Sequence, residues 1–130
     1  MNAIAAQAGA AVCVVDVGVA TNLPTAQGLL SRKVRPGTAD MTMGPAMTRD
    51  EALRSVEVGI ETARDLVAAG NSCLLTGDMG IANTTASAAL IAVFTGSEPE
   101  QVTGRGTGID DPTWQRKVTV IHREIGRAHV

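Results

Sequence analysis

Two glycine-rich stretches contain the residue types best suited to holding an anion. The first, Leu74-Leu75-Thr76-Gly77-Asp78-Met79-Gly80-Ile81-Ala82-Asn83-Thr84-Thr85, passes from an apolar run through two glycines into an alanine-rich segment. That order predicts a strand, a turn and a helix N-terminus. Such a junction aims unpaired backbone N–H groups and the positive end of a helix dipole at one point, which suits a phosphate or a carboxylate. Asp78 stands beside it, where a carboxylate can accept hydrogen bonds from two sugar hydroxyls or act as a general base. The same residues also support a structural reading, in which Asp78 caps the helix and the glycines only make a turn.

The second stretch is Thr103-Gly104-Arg105-Gly106-Thr107-Gly108. Alternate glycines let the backbone approach an anion closely and take positive φ angles. Lys117, about two turns into the following helix, can add charge to the same place. A plain flexible loop has this composition too, so phosphate binding and flexibility both stay open at this point. Neither stretch is a G-x-x-x-x-G-K-[ST] loop or a G-x-G-x-x-G turn after a strand, so a nucleoside triphosphatase or dinucleotide fold is not indicated. His122 has no Cys or His at ligand spacing and reads as a partly exposed helix residue. No Ser/His/Asp grouping and no metal-ligand cluster can be assembled, so no metal or cofactor is expected. Met41, Met43 and Met47 read as packing or loop-docking residues.

Elements must hold these loops in place. Residues 1–8 are helix-prone and Gly9 is placed to end them, but no N-cap precedes them, so the chain is expected to begin inside an element. Residues 11–17 form a β-branched run typical of a strand buried on both faces, interrupted near its carboxyl end by Asp16. Residues 18–44 read as a long connection, whose basic cluster Arg32-Lys33-Val34-Arg35 is either a solvated face or an anion-facing or subunit-facing patch. Thr48-Arg49-Asp50-Glu51 is a capping box. After it, Ala52, Leu53, Val56, Ile60, Ala63, Leu66 and Val67 recur at helical spacing, predicting an amphipathic helix that lies on the sheet and ends at Gly70. A second buried strand is expected over residues 72–76. A helix buried on most sides follows over 83–95 and stops at Gly96, a further helix starts at Ser97-Glu98-Pro99-Glu100, and the last runs over 112–124.

The resulting fold class is α/β, a Rossmann-like, mostly parallel sheet flanked by helices and built on a right-handed βαβ crossover. Ligands then bind outside the carboxyl ends of the strands, where both glycine loops fall.

Composition narrows the function classes. The 130 residues, 45% of them hydrophobic, suffice for one core. One Phe, one Trp and no Tyr leave no aromatic platform for stacking bases, and a net charge of -2 gives no attraction to nucleic acid or anionic lipid. Neither nucleic acid nor membrane is an expected partner. Cys13 and Cys73 sit in apolar runs and are expected to be buried free thiols rather than a disulfide. No apolar run reaches the ~18 residues that span a bilayer, and no secretory signal is visible, so a cytoplasmic location is expected.

Four ordered motifs together resemble one family: Val15-Asp16-Val17-Gly18-Val19, Gly44-Pro45-Ala46-Met47-Thr48-Arg49, Gly77 to Thr85, and Gly104-Arg105-Gly106-Thr107-Gly108. It is nicotinate-nucleotide–dimethylbenzimidazole phosphoribosyltransferase, of the lower-ligand branch of cobalamin synthesis. The resemblance spans nearly all of residues 2–124 and covers the middle of the family's chain, an incomplete domain. It implies transfer of the phosphoribosyl group from nicotinate mononucleotide to 5,6-dimethylbenzimidazole, giving α-ribazole 5′-phosphate and nicotinate.

By matching position, Asp78, Gly80, Ile81 and Ala82 would line the nicotinate and ribose side, while Gly106, Thr107 and Lys117 would hold the phosphate. The family usually has Glu at the position of Asp78 and Gly at that of Ala82, so the carboxylate is one methylene shorter and a Cβ faces the pocket. The resemblance places the catalytic glutamate beyond the end of this chain and most of the benzimidazole pocket before its start. It also implies a homodimer for the full-length protein. Residues 125–130, Ile-Gly-Arg-Ala-His-Val, read as the translation of a common sequencing-adapter end, so the native domain is expected over 1–124 and no function is expected of His129. The leading expectation is therefore an incomplete, inactive piece of the enzyme. The rival is a non-catalytic mononucleotide- or phosphate-binding α/β module, which tight binding of nicotinate mononucleotide by the isolated chain would favour.

Overall fold

A computed structural model describes residues 2–81 and 83–128; Met1, Ala82, His129 and Val130 lie outside the described residues. The chain is α/β. Its elements are α1 (Asn2–Gln7), β1 (Val14–Asp16), β2 (Leu29–Ser31), α2 (Arg49–Ala68), α3 (Thr84–Thr95), α4 (Pro99–Val102) and α5 (Asp111–Ala128). They fall into two compact units. The first holds α1, β1, β2 and α2; the second holds α3, α4 and α5 together with residues 41–43.

In the first unit β1 and β2 pair in parallel, with Val14 opposite Leu29, Val15 opposite Leu30 and Asp16 opposite Ser31. β2 lies inside the segment expected to be a long connection. Its three residues are too short a run to show a period, and only the pairing with β1 makes them a strand. The connection between the two strands, residues 17–28, contains no helix, and the βαβ unit expected from residues 11–17 through the helix after Thr48 to residues 72–76 is not completed, because 72–76 forms no strand among the described residues. Asp16 fixes the end of β1. Its buried carboxylate accepts hydrogen bonds from the Gly18 and Val19 N–H groups at 3.1 and 2.8 Å and pairs with Lys33 Nζ at 2.9 Å. Lys33 in turn donates to the carbonyls of Val19 and Thr21. Arg35 reaches Glu51 at 3.4 Å. Two of the three cations in the basic cluster are thus engaged in ion pairs within the unit.

α2 begins as its capping box dictates. The Glu51 N–H donates to Thr48 Oγ1 at 3.2 Å and the Thr48 N–H to Glu51 Oε2 at 2.7 Å, so two orphan donors are satisfied reciprocally. Its more covered face, however, runs through Glu51, Ser55, Val58, Thr62 and Leu66, and Leu53, Val56, Ile60 and Val67 are exposed. The apolar stripe does not lie on the sheet, since α2 packs on no other helix or strand among the described residues. The expected strand over 72–76 is also not formed: Leu75 is 92% exposed, and the sheet contains β1 and β2 alone among the described residues. An apolar run can mark a segment as fit for a buried strand, but a parallel strand forms only beside a partner. Cys73, on this segment, and Cys13, just before β1, are exposed free thiols rather than the buried ones expected.

The second unit has its core where α3, α4 and α5 meet. Ala88, Ala89 and Ala92 of α3 present small side chains to Ile121 of α5, which is fully buried, and Met41, Val102 and Ile125 pack around them. Met41 is therefore a packing residue, whereas Met43 is exposed. α3 is covered on this alanine face only; Leu90, Ile91, Val93 and Phe94 on its other sides are exposed, contrary to the expected burial on most sides. Its partners α4 and α5 both approach the alanine side. Gly96, at φ +66°, ends the helix in the left-handed conformation that glycine adopts without a steric penalty. α5 extends past residue 124 to Ala128.

Candidate functional site

The cleft of the second unit is built from local caps outward. Asp110 Oδ1 accepts the Thr113 N–H at 3.0 Å and so opens α5, and the hydrogen bond from Thr113 holds the Asp110 carboxyl below the usual carboxylate range. The buried Thr103 donates its hydroxyl to the Pro99 carbonyl at 2.6 Å, and its own carbonyl accepts Trp114 Nε1 at 2.7 Å. These two bonds pin the start of the glycine loop between α4 and α5. Arg105 closes the loop's other side by donating to the Ile109 carbonyl at 3.1 Å and pairing with Asp111.

Between this loop and the N-terminus of α3 lies a cleft of about 170 Å³, lined by Gly80, Ile81, Thr84 and Thr85 on the α3 side and by Arg105, Gly106, Thr107 and Lys117 opposite, with Ile109 and Thr113 completing it. Lys117 Nζ donates to Thr84 Oγ1 at 2.9 Å and to the Gly104 carbonyl at 3.1 Å, tying α5, α3 and the loop to one cation. Gly106 is required where it stands. Its φ is +57°, and a Cβ there would meet Thr84 Oγ1 at 3.3 Å. The N-termini of α3 and α5 both border the cleft, so backbone donors and two helix dipoles add to the charges of Lys117 and Arg105. None of the lining residues is a carboxylate or an imidazole. The lining offers backbone N–H groups, hydroxyls and two basic side chains, which are donors that suit an anion.

Of the residues singled out from sequence, Gly80, Ile81, Gly106, Thr107 and Lys117 come together in this cleft. Asp78 does not line it; its carboxylate accepts the side-chain amide of Asn83. Ala82 lies outside the described residues. Sequence reasoning misses Thr113 and Ile109; for Thr113 the signal is available in Asp110, an N-cap residue three positions earlier. His122 is half-exposed on α5 and pairs with Glu100 of α4 at 2.9 Å, which holds the Glu100 carboxyl below its ordinary range. Among the described residues no three His, Cys, Asp or Glu side chains are grouped to hold a metal ion, and no helix is long and apolar enough to cross a membrane.

A glycine loop, two helix N-termini and a shared lysine meet at one cleft of an α/β chain, an arrangement of backbone donors and charge that suits an anion. A family model described as Phosphoribosyltransferase matches residues 1–129. The chain is 52% identical to nicotinate-nucleotide–dimethylbenzimidazole phosphoribosyltransferase of Salinispora tropica, with 98% of this chain and 39% of that protein covered. It is 50% identical to the protein of the same name in Roseiflexus castenholzii, with 99% and 36% covered. Among solved structures, CobT from Thermus thermophilus superposes with a TM-score of 0.91 at 51% identity, over 97% of this chain and 38% of that one. The chain belongs to the nicotinate-nucleotide–dimethylbenzimidazole phosphoribosyltransferase family. It spans a little over a third of the length of these relatives.

Proposed function

We propose that this chain contributes the phosphate and ribose side of a phosphoribosyltransferase site, and that the full-length protein transfers the phosphoribosyl group of nicotinate mononucleotide to 5,6-dimethylbenzimidazole in cobalamin lower-ligand synthesis. The observation that carries the reading is the convergence of Gly106, Thr107 and Lys117 with Gly80 and Ile81 on one cleft. At about 170 Å³ the cleft is smaller than the roughly 300–1,000 Å³ of pockets that enclose a whole small molecule, and it suits a phosphate group with the edge of its sugar.

In the reaction, the bond between the pyridinium nitrogen and the anomeric carbon breaks and its electron pair returns to the ring, so nicotinate leaves without needing an acid. A benzimidazole nitrogen forms the new bond to the anomeric carbon, and the azole N–H proton passes to a base. This chain's share is to hold the phosphate while charge builds on the ribose, a task for the Gly106 and Thr107 N–H groups and the Lys117 ammonium. Since no lining residue is a carboxylate or an imidazole, the base is assigned to the remainder of the full-length protein.

Calorimetric titration of the chain with nicotinate mononucleotide, and with the nucleoside lacking its phosphate, tests the reading. The mononucleotide is expected to bind weakly, with a Kd on the order of 1 mM, and the nucleoside about tenfold more weakly or not at all. Equal binding of the two would sink the assignment of the cleft to phosphate.

A further inference from the structure

We infer that Thr84 is a positioning residue for the phosphate site, acting through Lys117. The inference rests on the assignment of the cleft to phosphate and concerns how its cation is aimed. A lysine ammonium has three donors. In Lys117 one goes to Thr84 Oγ1 at 2.9 Å and one to the Gly104 carbonyl at 3.1 Å, which leaves one for the cleft that the side chain lines. The Gly104 carbonyl alone would let the ammonium swing about a single contact; the threonine hydroxyl, on the first turn of α3, supplies the second point that sets its direction.

Thr84 is suited to this because a β-branched side chain has few χ1 states. The space its hydroxyl uses is kept open by Gly106, since a Cβ there would lie 3.3 Å from Thr84 Oγ1 and 3.9 Å from Lys117 Nζ. Glycine at 106 and threonine at 84 thus form one arrangement: the missing side chain leaves room for the hydroxyl that holds the lysine. A flexible lysine loses much rotamer freedom when it binds an anion, and one already held in place loses less. Accepting from Lys117 also leaves the Thr84 O–H proton free to donate in turn.

The experiment compares the chain with its Thr84→Val and Thr84→Ser variants, the first keeping the shape without the hydroxyl and the second the reverse. Nitrogen-15 NMR reads the Lys117 ammonium without any ligand, inorganic phosphate is titrated against the Gly106 and Thr107 amides, and the Ile121 methyl signals report the core. The unaltered chain and Thr84→Ser are expected to show an ammonium signal protected from exchange and phosphate affinities within about twofold of each other. Thr84→Val is expected to lose that protection and to bind phosphate about tenfold more weakly while the Ile121 signals stay in place. A protected ammonium in Thr84→Val, or a loss in Thr84→Ser equal to that in Thr84→Val, overturns the inference. If the unaltered chain ignores phosphate, the assignment of the cleft fails, and the ammonium signals of the two variants still decide the role of Thr84.

Discussion

At the scale of single residues, two contacts carry more than their neighbours. Gly106 adopts φ +57°, and a Cβ there would lie 3.3 Å from Thr84 Oγ1, so that hydroxyl would have to shift by a few tenths of an ångström. Gly106→Ala should therefore lower stability by about 1–2 kcal/mol for the left-handed backbone, read as a urea midpoint, and should weaken phosphate binding as the new methyl displaces the hydroxyl that holds Lys117. Unchanged phosphate affinity in that variant would mean the loop does not form the site. Asp16 governs the other unit. Hydrogen bonding to Lys33, followed by that from the Val19 N–H, holds its carboxyl below the ordinary range. A carboxyl depressed in the folded state contributes its full stability above the unfolded value of about 3.9, and that contribution is lost as pH falls through the lower folded value. Asp16→Asn should thus be less stable than the parent at neutral pH, and the difference should shrink on acidification. Urea midpoints between about pH 3 and pH 7 check this, and a constant difference across that range would remove Asp16 as its source.

At the scale of elements, what is local in the chain was legible and what is non-local was not. The capping box of α2 declares itself in four consecutive residues, Thr48 to Glu51, because both of its hydrogen bonds close within them. Thr48→Ala should destabilise by about 1 kcal/mol, measured by urea denaturation. The glycine loop before α5 was legible for the same reason, its spacing being a statement about backbone freedom alone. The strand expected over 11–17 forms as β1 (Val14–Asp16), but the other strand expectations failed in both directions. Residues 29–31 form β2 because β1 lies beside them, and residues 72–76, richer in strand-forming residues, pair with nothing among the described residues. Helical period likewise predicts that a face is apolar without saying what will cover it, which is why the stripe of α2 through Leu53, Val56, Ile60 and Val67 is exposed. The alanine face of α3 is covered, since alanines at 88, 89 and 92 create the close approach that Ile121 of α5 fills. Ile121→Ala should cost about 2–5 kcal/mol, because the alanines opposite have no side-chain length with which to fill the cavity.

At the scale of the whole molecule, the reaction proposed for the full-length protein has two requirements, which bear unequally on this chain. Holding a phosphoribosyl donor needs fixed donors and a cation, and in the proposed reading these are Lys117 and the backbone around Gly106 that line the cleft. Activating the benzimidazole needs a proton acceptor, and the cleft is lined by glycine, threonine, isoleucine, arginine and lysine. Asp78, two positions before the lining residue Gly80, is engaged with Asn83 instead. α2 and α3 each present an exposed apolar face, that of α3 with Phe94 82% exposed and Leu90, Ile91 and Val93 beside it. Incubated with nicotinate mononucleotide and 5,6-dimethylbenzimidazole, the purified chain should accordingly form no α-ribazole 5′-phosphate detectable by chromatography, even at substrate concentrations that saturate its phosphate cleft. Product formation would place a base among these residues. Asp78→Asn would then identify it: lost turnover with phosphate binding intact makes Asp78 the acceptor, released from Asn83 when substrate enters, whereas persistent turnover transfers the role to another carboxylate of the chain.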